Sequence, residues 1–136
     1  MPSSNGFAKL VREIPADEMR ALSDLARTAT WRHRYQPDRD YYTSEVYNFW
    51  EPCDRAFLLL LPPGGIVHRH NDELIKGITH HLVISTNDQC ENWWHDGEDK
   101  SMHMKLATVY EVERKPAHWS FNKGLTDRVH LLVEYK

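Results

Sequence analysis

From residue 55 onward the chain is a succession of short apolar or alternating runs separated by turn residues. That punctuation restricts this half to antiparallel strands. Arg55 to Leu61 is a near-continuous apolar run, closed by Pro62-Pro63-Gly64-Gly65, a strong turn signal. Ile66 to Asp72 reads as a short extended piece. Gly77 to Thr86, Met104 to Glu113, Ala117 to Phe121 and Arg128 to Tyr135 read as further strands. Asn87 to His103 is polar, with Trp93 and Trp94 in its middle. A connection of that length holds a hairpin or covers a functional site.

The first third is different. Phe7 to Ile14 alternates like a strand. Pro15 suits the start of a helix, Asp17 and Glu18 follow where the helix dipole favours negative charge, and Met19, Leu22, Leu25 and Ala26 repeat at helical spacing. The spacing predicts a helix over Ala16 to Thr28. Trp31 to Glu51 is aromatic and charged without a clear period, and reads as irregular chain or short strands. One helix and many strands make a mainly β chain, a sandwich or barrel with the helix packed outside.

The 136 residues suit one domain, residues 1–54 supporting a core of residues 55–136. The net charge of −3 is small and the basic residues are scattered, so no nucleic-acid footprint is expected. The apolar run Ala56 to Leu61 is far too short to cross a membrane. The start, Met-Pro-Ser-Ser-Asn-Gly, has no hydrophobic signal region, so a cytoplasmic protein with free Cys53 and Cys90 is expected.

All but one of the nine histidines fall at or after His68, and a dispersed set among them carries chemistry. His70-Asn71-Asp72 is followed by His118 and then Arg128. Side chains at i and i+2 of an extended segment share a side, so His70 and Asp72 can grip one ion together. A third ligand must come from a distant strand, and His118 suits. Two imidazoles and a carboxylate are the ligands of a mononuclear non-haem iron(II) site with open positions. On the strand after His118, Arg128 stands where an enzyme of this kind holds the far carboxylate of an oxo-acid co-substrate. A His-x-Asp alone arises readily by chance; order, strand context and the trailing arginine together point to an Fe(II)- and 2-oxoglutarate-dependent oxygenase using O2.

The same residues carry a family resemblance. Pro-Pro-Gly-Gly-Ile-Val-His-Arg-His-Asn-Asp (62–72), Thr-His-His-Leu-Val-Ile-Ser-Thr-Asn (79–87), Val-Tyr-Glu-Val (109–112), His-Trp-Ser-Phe-Asn (118–122) and Asp-Arg-Val-His-Leu-Leu-Val (127–133) resemble the aspartyl/asparaginyl β-hydroxylase-like branch of the 2-oxoglutarate oxygenases, which includes proline hydroxylases. The resemblance implies a double-stranded β-helix (jelly-roll, cupin-like) with iron(II) at one end, held by His70, Asp72 and His118. It implies that Arg128 and His81 contact 2-oxoglutarate. It also implies hydroxylation of a small-molecule or peptidyl amino acid with release of succinate and CO2. Relatives often carry an arginine two residues before that histidine; Thr79 stands there instead and is expected on the co-substrate in its place.

Two other readings compete. A cupin-like metalloprotein, an isomerase or a dioxygenase without 2-oxoglutarate, would use His68, His70, Glu73 and His118, and leaves Arg128 without a task. A metal-free binding module is the third. Among the remaining residues, His68 is a turn histidine or an alternative to His70. His80 faces away from His81, and His130 is a neighbour of the site or part of the core. His95 and His103 are expected to be solvated. Trp93-Trp94 are lid anchors or packing groups, Trp119 and Phe121 core, and Asn122 a turn or substrate contact. Trp31, Arg32 and Arg34 lie on a solvated face or reach the mouth of the site and meet an acidic substrate. The sequence leaves oligomeric state open.

Overall fold

The computed structural model describes residues 6–72 and 77–136. β1 (Ala8–Glu13) leads into α1 (Ala16–Arg27), then β2 (Arg32–Gln36) and β3 (Arg39–Glu45). Eight strands follow: β4 (Arg55–Leu61), β5 (Ile66–His70), β6 (Ile78–Ser85), β7 (Cys90–His95), β8 (Asp99–Met102), β9 (Thr108–Val112), β10 (Ala117–Asn122) and β11 (Arg128–Tyr135). All pair antiparallel, in the order β1-β9-β6-β11-β4-β3-β5-β10-β7-β8, with β2 on β3. From β4 onward, consecutive strands thus alternate between two groups, β9-β6-β11-β4 and β5-β10-β7-β8, apart from the β7–β8 hairpin within the second, as expected of a jelly-roll. β1 and β3 widen the first group at its two edges. The groups join through β3, by the single pair Asp40 and Ile66.

Alternation of side chains sorts each strand of the larger sheet into two faces. One face, with Leu58, Leu82, Val109, Leu131 and Val133, is buried under α1 through Leu22, Met19, Leu25 and Ala26. The other faces the smaller sheet: Phe57, Leu59, Leu61 and Leu132 form one cluster, and Val83, Trp94, Met104, Tyr110 and Val112 another. α1 starts at Pro15 without a side-chain cap, and Glu18 in its first turn receives two hydrogen bonds from Arg12 at 2.8 and 3.0 Å, tying it to β1. Leu131, fully buried in the central strand, is expected to cost about 2–5 kcal/mol when replaced by alanine. Urea denaturation should show a lower midpoint with an unchanged slope.

The Pro62–Gly65 turn holds the two sheets in register. Gly64 has φ +80°, and a Cβ on Gly65 would lie 2.9 Å from the Asp40 carbonyl oxygen, so bulk there would push β3 from β5. Two readings left open by the sequence are decided. Residues 31–51 contain a regular β2–β3 hairpin, stitched by His33 against Asp40 at 2.6 Å. Residues 87–103 hold the β7–β8 hairpin, turning at Asp96–Glu98 with Gly97 at φ +82°; a three-residue loop with glycine in the left-handed region is a common hairpin solution. Trp94 is therefore core, bonded through its indole N–H to the Glu113 carbonyl oxygen, and is not a lid. Trp119 and Phe121 are not core. They are half-buried on the other face of β10, Trp119 stacked on Trp93 and covered by Arg69, Phe121 under Lys123. No described helix is long and apolar enough to cross a membrane, and neither cysteine is bridged.

Candidate metal centre

β5 and β10 pair so that His70 and His118 stand directly opposite, ring centroids 4.3 Å apart. The register slips just beyond them: Val67 opposes Ser120, so His68 and Arg69 together face Trp119. This bulge lets Arg69 turn outward onto Trp119 while Val67, His68 and His70 all line the interior. Asp72 follows two residues after β5, fixed by its N–H donating to the Arg114 carbonyl oxygen at 2.9 Å.

Donor atoms of His70, Asp72 and His118 lie within 4.8 Å of one another. Asp72 Oδ2 is 3.2 Å from His118 Nε2 and 3.6 Å from His70 Nε2. Ligand bonds of about 2.1 Å set neighbouring donors at right angles about 3 Å apart, so this spacing suits one shared ion. The tautomers suit it too. His70 Nδ1 is 2.7 Å from the His68 carbonyl oxygen and His118 Nδ1 is 2.8 Å from that of Pro116. A carbonyl only accepts, so each Nδ1 carries a hydrogen, and Nε2 is the ring atom that each turns toward Asp72. Burial alone would raise the Asp72 carboxyl; His118, His70 and the Arg114 guanidinium outweigh it and hold the group well below the usual carboxylate range. The hydrogen bond to Asp72 in turn raises His70.

Arg114, which the sequence reading passed over, clamps the carboxylate. Its Nε donates to Asp72 Oδ2 at 2.7 Å and its Nη1 to Glu134 Oε2 at 2.6 Å and Thr79 Oγ1 at 3.4 Å. Thr79 is thus buried beneath Arg114 and does not line the cavity, so its expected contact with a co-substrate is replaced by a structural one. The guanidinium comes from the β9–β10 connection and meets Thr79 from there.

Both imidazoles of the triad open on a cavity of about 230 Å³ between the sheets, at the small end for ligand sites. Its wall includes His81, Asn92 and Arg128. Arg128 is 2% exposed; Nη1 donates to Asn92 Oδ1 at 2.9 Å, and Nε is buried with no hydrogen-bond partner. Burial lowers this guanidinium to about 10. His81 Nδ1 lies 3.1 Å from His130 Nδ1, so one ring donates and the other accepts; burial holds both well below the ordinary imidazole range.

The other candidates sort as follows. His68 lines the cavity outside the triad. His80 faces outward beside Tyr135 and Glu111, and His95 pairs with Asp99 at the surface. Asn122 is fully buried and holds the β10–β11 turn through Leu61 and Thr126, out of reach of a substrate. Arg34 lines the cavity, the second of the two places open to it in the sequence. Glu73, the carboxylate of the cupin-like reading, lies outside the described residues, as do residues 1–5 at the start.

Several solved structures share this fold. A 2OG-Fe(II) oxygenase-family oxidoreductase from Burkholderia pseudomallei superposes with a TM-score of 0.77 at 10% identity, over 93% of this chain and 83% of that one. A Pseudomonas putida prolyl-4-hydroxylase gives 0.70 at 14%, over 95% and 92%. A protein described as a predicted oxalate decarboxylase from Thermotoga maritima gives 0.56 at 18%, over 79% and 92%. At such identities these likenesses define the fold: a double-stranded β-helix. Residues 42–136 match the Aspartyl/Asparaginyl beta-hydroxylase family, and the chain belongs to it. No curated protein sequence matches it.

Proposed function

We propose that this chain is an Fe(II)- and 2-oxoglutarate-dependent oxygenase that hydroxylates an amino acid or a peptidyl residue. The observation that carries the reading is Arg128: a guanidinium almost wholly withdrawn from water, without a carboxylate partner, in the cavity that the triad opens on. A buried donor left unmade costs about 1–3 kcal/mol, more for a charged group. The far carboxylate of 2-oxoglutarate would satisfy it with a bidentate contact.

His70, Asp72 and His118 would hold the ion, their Nε2 and Oδ2 atoms already turned together. Iron(II) with 2-oxoglutarate and O2 supplies the oxidation, the substrate C–H becoming C–OH while the co-substrate leaves as succinate and CO2. The protein's own contribution is to bind and exclude. Arg128 and Asn92 anchor one end of the co-substrate; His81, kept neutral by burial, offers its remaining ring nitrogen to the cavity. Trp94, Met104 and Leu132 make the wall that keeps water from it. The match of residues 42–136 to the Aspartyl/Asparaginyl beta-hydroxylase family supports a hydroxylation over other oxidations.

Anaerobic titration with iron(II) and then 2-oxoglutarate tests the reading through the weak visible band of the chelated complex. The band should appear in the wild type, and Arg128→Ala should weaken co-substrate binding at least about 30-fold, the loss of a charged hydrogen-bonded pair. Iron binding without any band would shift the assignment to a cupin-like metalloprotein.

A further inference from the structure

The cavity wall carries four guanidinium groups, Arg34, Arg55, Arg114 and Arg128, and no carboxylate among the described residues that line it, in a chain of net charge −3. Three of the four have an assigned counter-charge. Arg55 donates to Glu45 through Nε and Nη2. Arg114 is held between Asp72 and Glu134. Arg128 is reserved for the co-substrate in the function proposed above. Arg34 is different: its Nε donates to Thr43 Oγ1 at 3.3 Å, and among the described residues no carboxylate pairs with the group. The acidic residues of its hairpin pair elsewhere: Asp38 with Arg39, Asp40 with His33 and Glu45 with Arg55. The side chain is only partly exposed, and Tyr41 and Thr43 from the paired strand line the cavity with it.

A cavity so lined attracts anions, and its low-dielectric walls strengthen the attraction. 2-Oxoglutarate accounts for Arg128 and the ion. It leaves Arg34 over. Arg34 also lies outside residues 42–136, so it is a feature of this chain's own hairpin and not of the matched family region.

We propose that Arg34 docks the substrate, and that the molecule oxidised at this site carries a carboxylate, received by the Arg34 guanidinium on the hairpin side of the cavity. The proposal rests on the oxygenase reading for the second anion and extends it to the class of substrate. Thr43 fixes the guanidinium by its Nε, leaving both terminal nitrogens for a forked contact, while Phe57 and Tyr41 offer apolar surface to the carbon skeleton.

The test uses protein loaded anaerobically with iron(II) and 2-oxoglutarate. A panel of free amino acids and C4–C6 carboxylic acids is added, each beside its carboxamide. Binding is read from the melting-temperature shift and from the change in the visible band. At least one acid should bind, and its carboxamide at least about tenfold more weakly, as expected for loss of a charge-assisted hydrogen bond. Arg34→Gln should bring the acid down to the carboxamide's level, and Arg34→Lys, with its charge but no fork, should recover part of the difference. Equal binding of acid and carboxamide, an Arg34→Gln variant that binds the acid like wild type, or a panel without any acid bound would each overturn the proposal. Should Arg34→Gln melt early, the acid–carboxamide comparison in the wild type and Arg34→Lys decides alone. Failure of the wild type to take up 2-oxoglutarate is seen before any panel compound is added, and counts against the oxygenase reading instead.

Discussion

Replacing His118 by alanine is expected to leave a folded protein that no longer retains a divalent ion at micromolar concentrations. His118 meets His70 across one strand pair, and its Nε2 is the donor nearer to Asp72. Without it one imidazole and one carboxylate remain. Loss of a mere outer-sphere partner of a metal ligand costs about 10–100-fold in affinity, so loss of a ligand should exceed that range. The ring is half-buried at the cavity edge and belongs to none of the three apolar clusters, so the unfolding midpoint without metal should move little. Competition with a chromophoric chelator measures the affinity. Wild-type binding by His118→Ala would remove the triad as the metal centre.

Arg114→Met should have the largest effect on stability. Arg114 is the cation between two carboxylates, Asp72 and Glu134, each largely withdrawn from solvent. Removing one partner of a buried ion pair costs about 3–5 kcal/mol, because the charges left behind keep their desolvation cost. Arg55 lies 3.9 Å from Glu134, too far to replace the lost bond. The same variant frees the Asp72 side chain, so metal affinity should drop about 10–100-fold. The double change Arg114→Met, Glu134→Gln removes one of the orphaned charges and should recover part of the stability but none of the affinity. If both recover together, Arg114 acts on the site only through folding.

Apart from β7 and β8, which the polar stretch 87–103 hid, the strands from β4 to β11 were legible because their periodicity agrees with their turns. Helix α1 was legible for the same reason, through Leu22, Leu25 and the acidic first turn. The misread elements share a physical cause. β10 places Ser120 and Asn122 inward and Trp119 and Phe121 outward. A strand that lines a polar cavity inverts the usual rule, and its aromatic face then looks like core. β2, with Arg32, His33, Arg34, Tyr35 and Gln36, is an edge strand with polar side chains on both faces, and no apolar alternation betrays it. The triad could be named because His-x-Asp is local and only one later histidine leads a strand that ends in a turn before an arginine. Arg114 could not, since its partners Asp72 and Glu134 are 42 and 20 residues away and meet it only through the pairing of the sheets.

β11 is the last strand in the chain and the middle one of its sheet, seated between β4 and β6. β4 and β6 therefore cannot share a sheet until residues 128–135 arrive, about seventy residues after β4 itself. Ordering so much intervening chain before the contacts that reward it makes folding slow, on the milliseconds-to-seconds scale of non-local β topologies. The two flanking edges, rich in leucine and valine, wait unpaired in the meantime. A growing chain halted anywhere before Arg128 would thus carry both open edges, and a peptide of the β11 sequence supplied in trans is the natural reagent to close them.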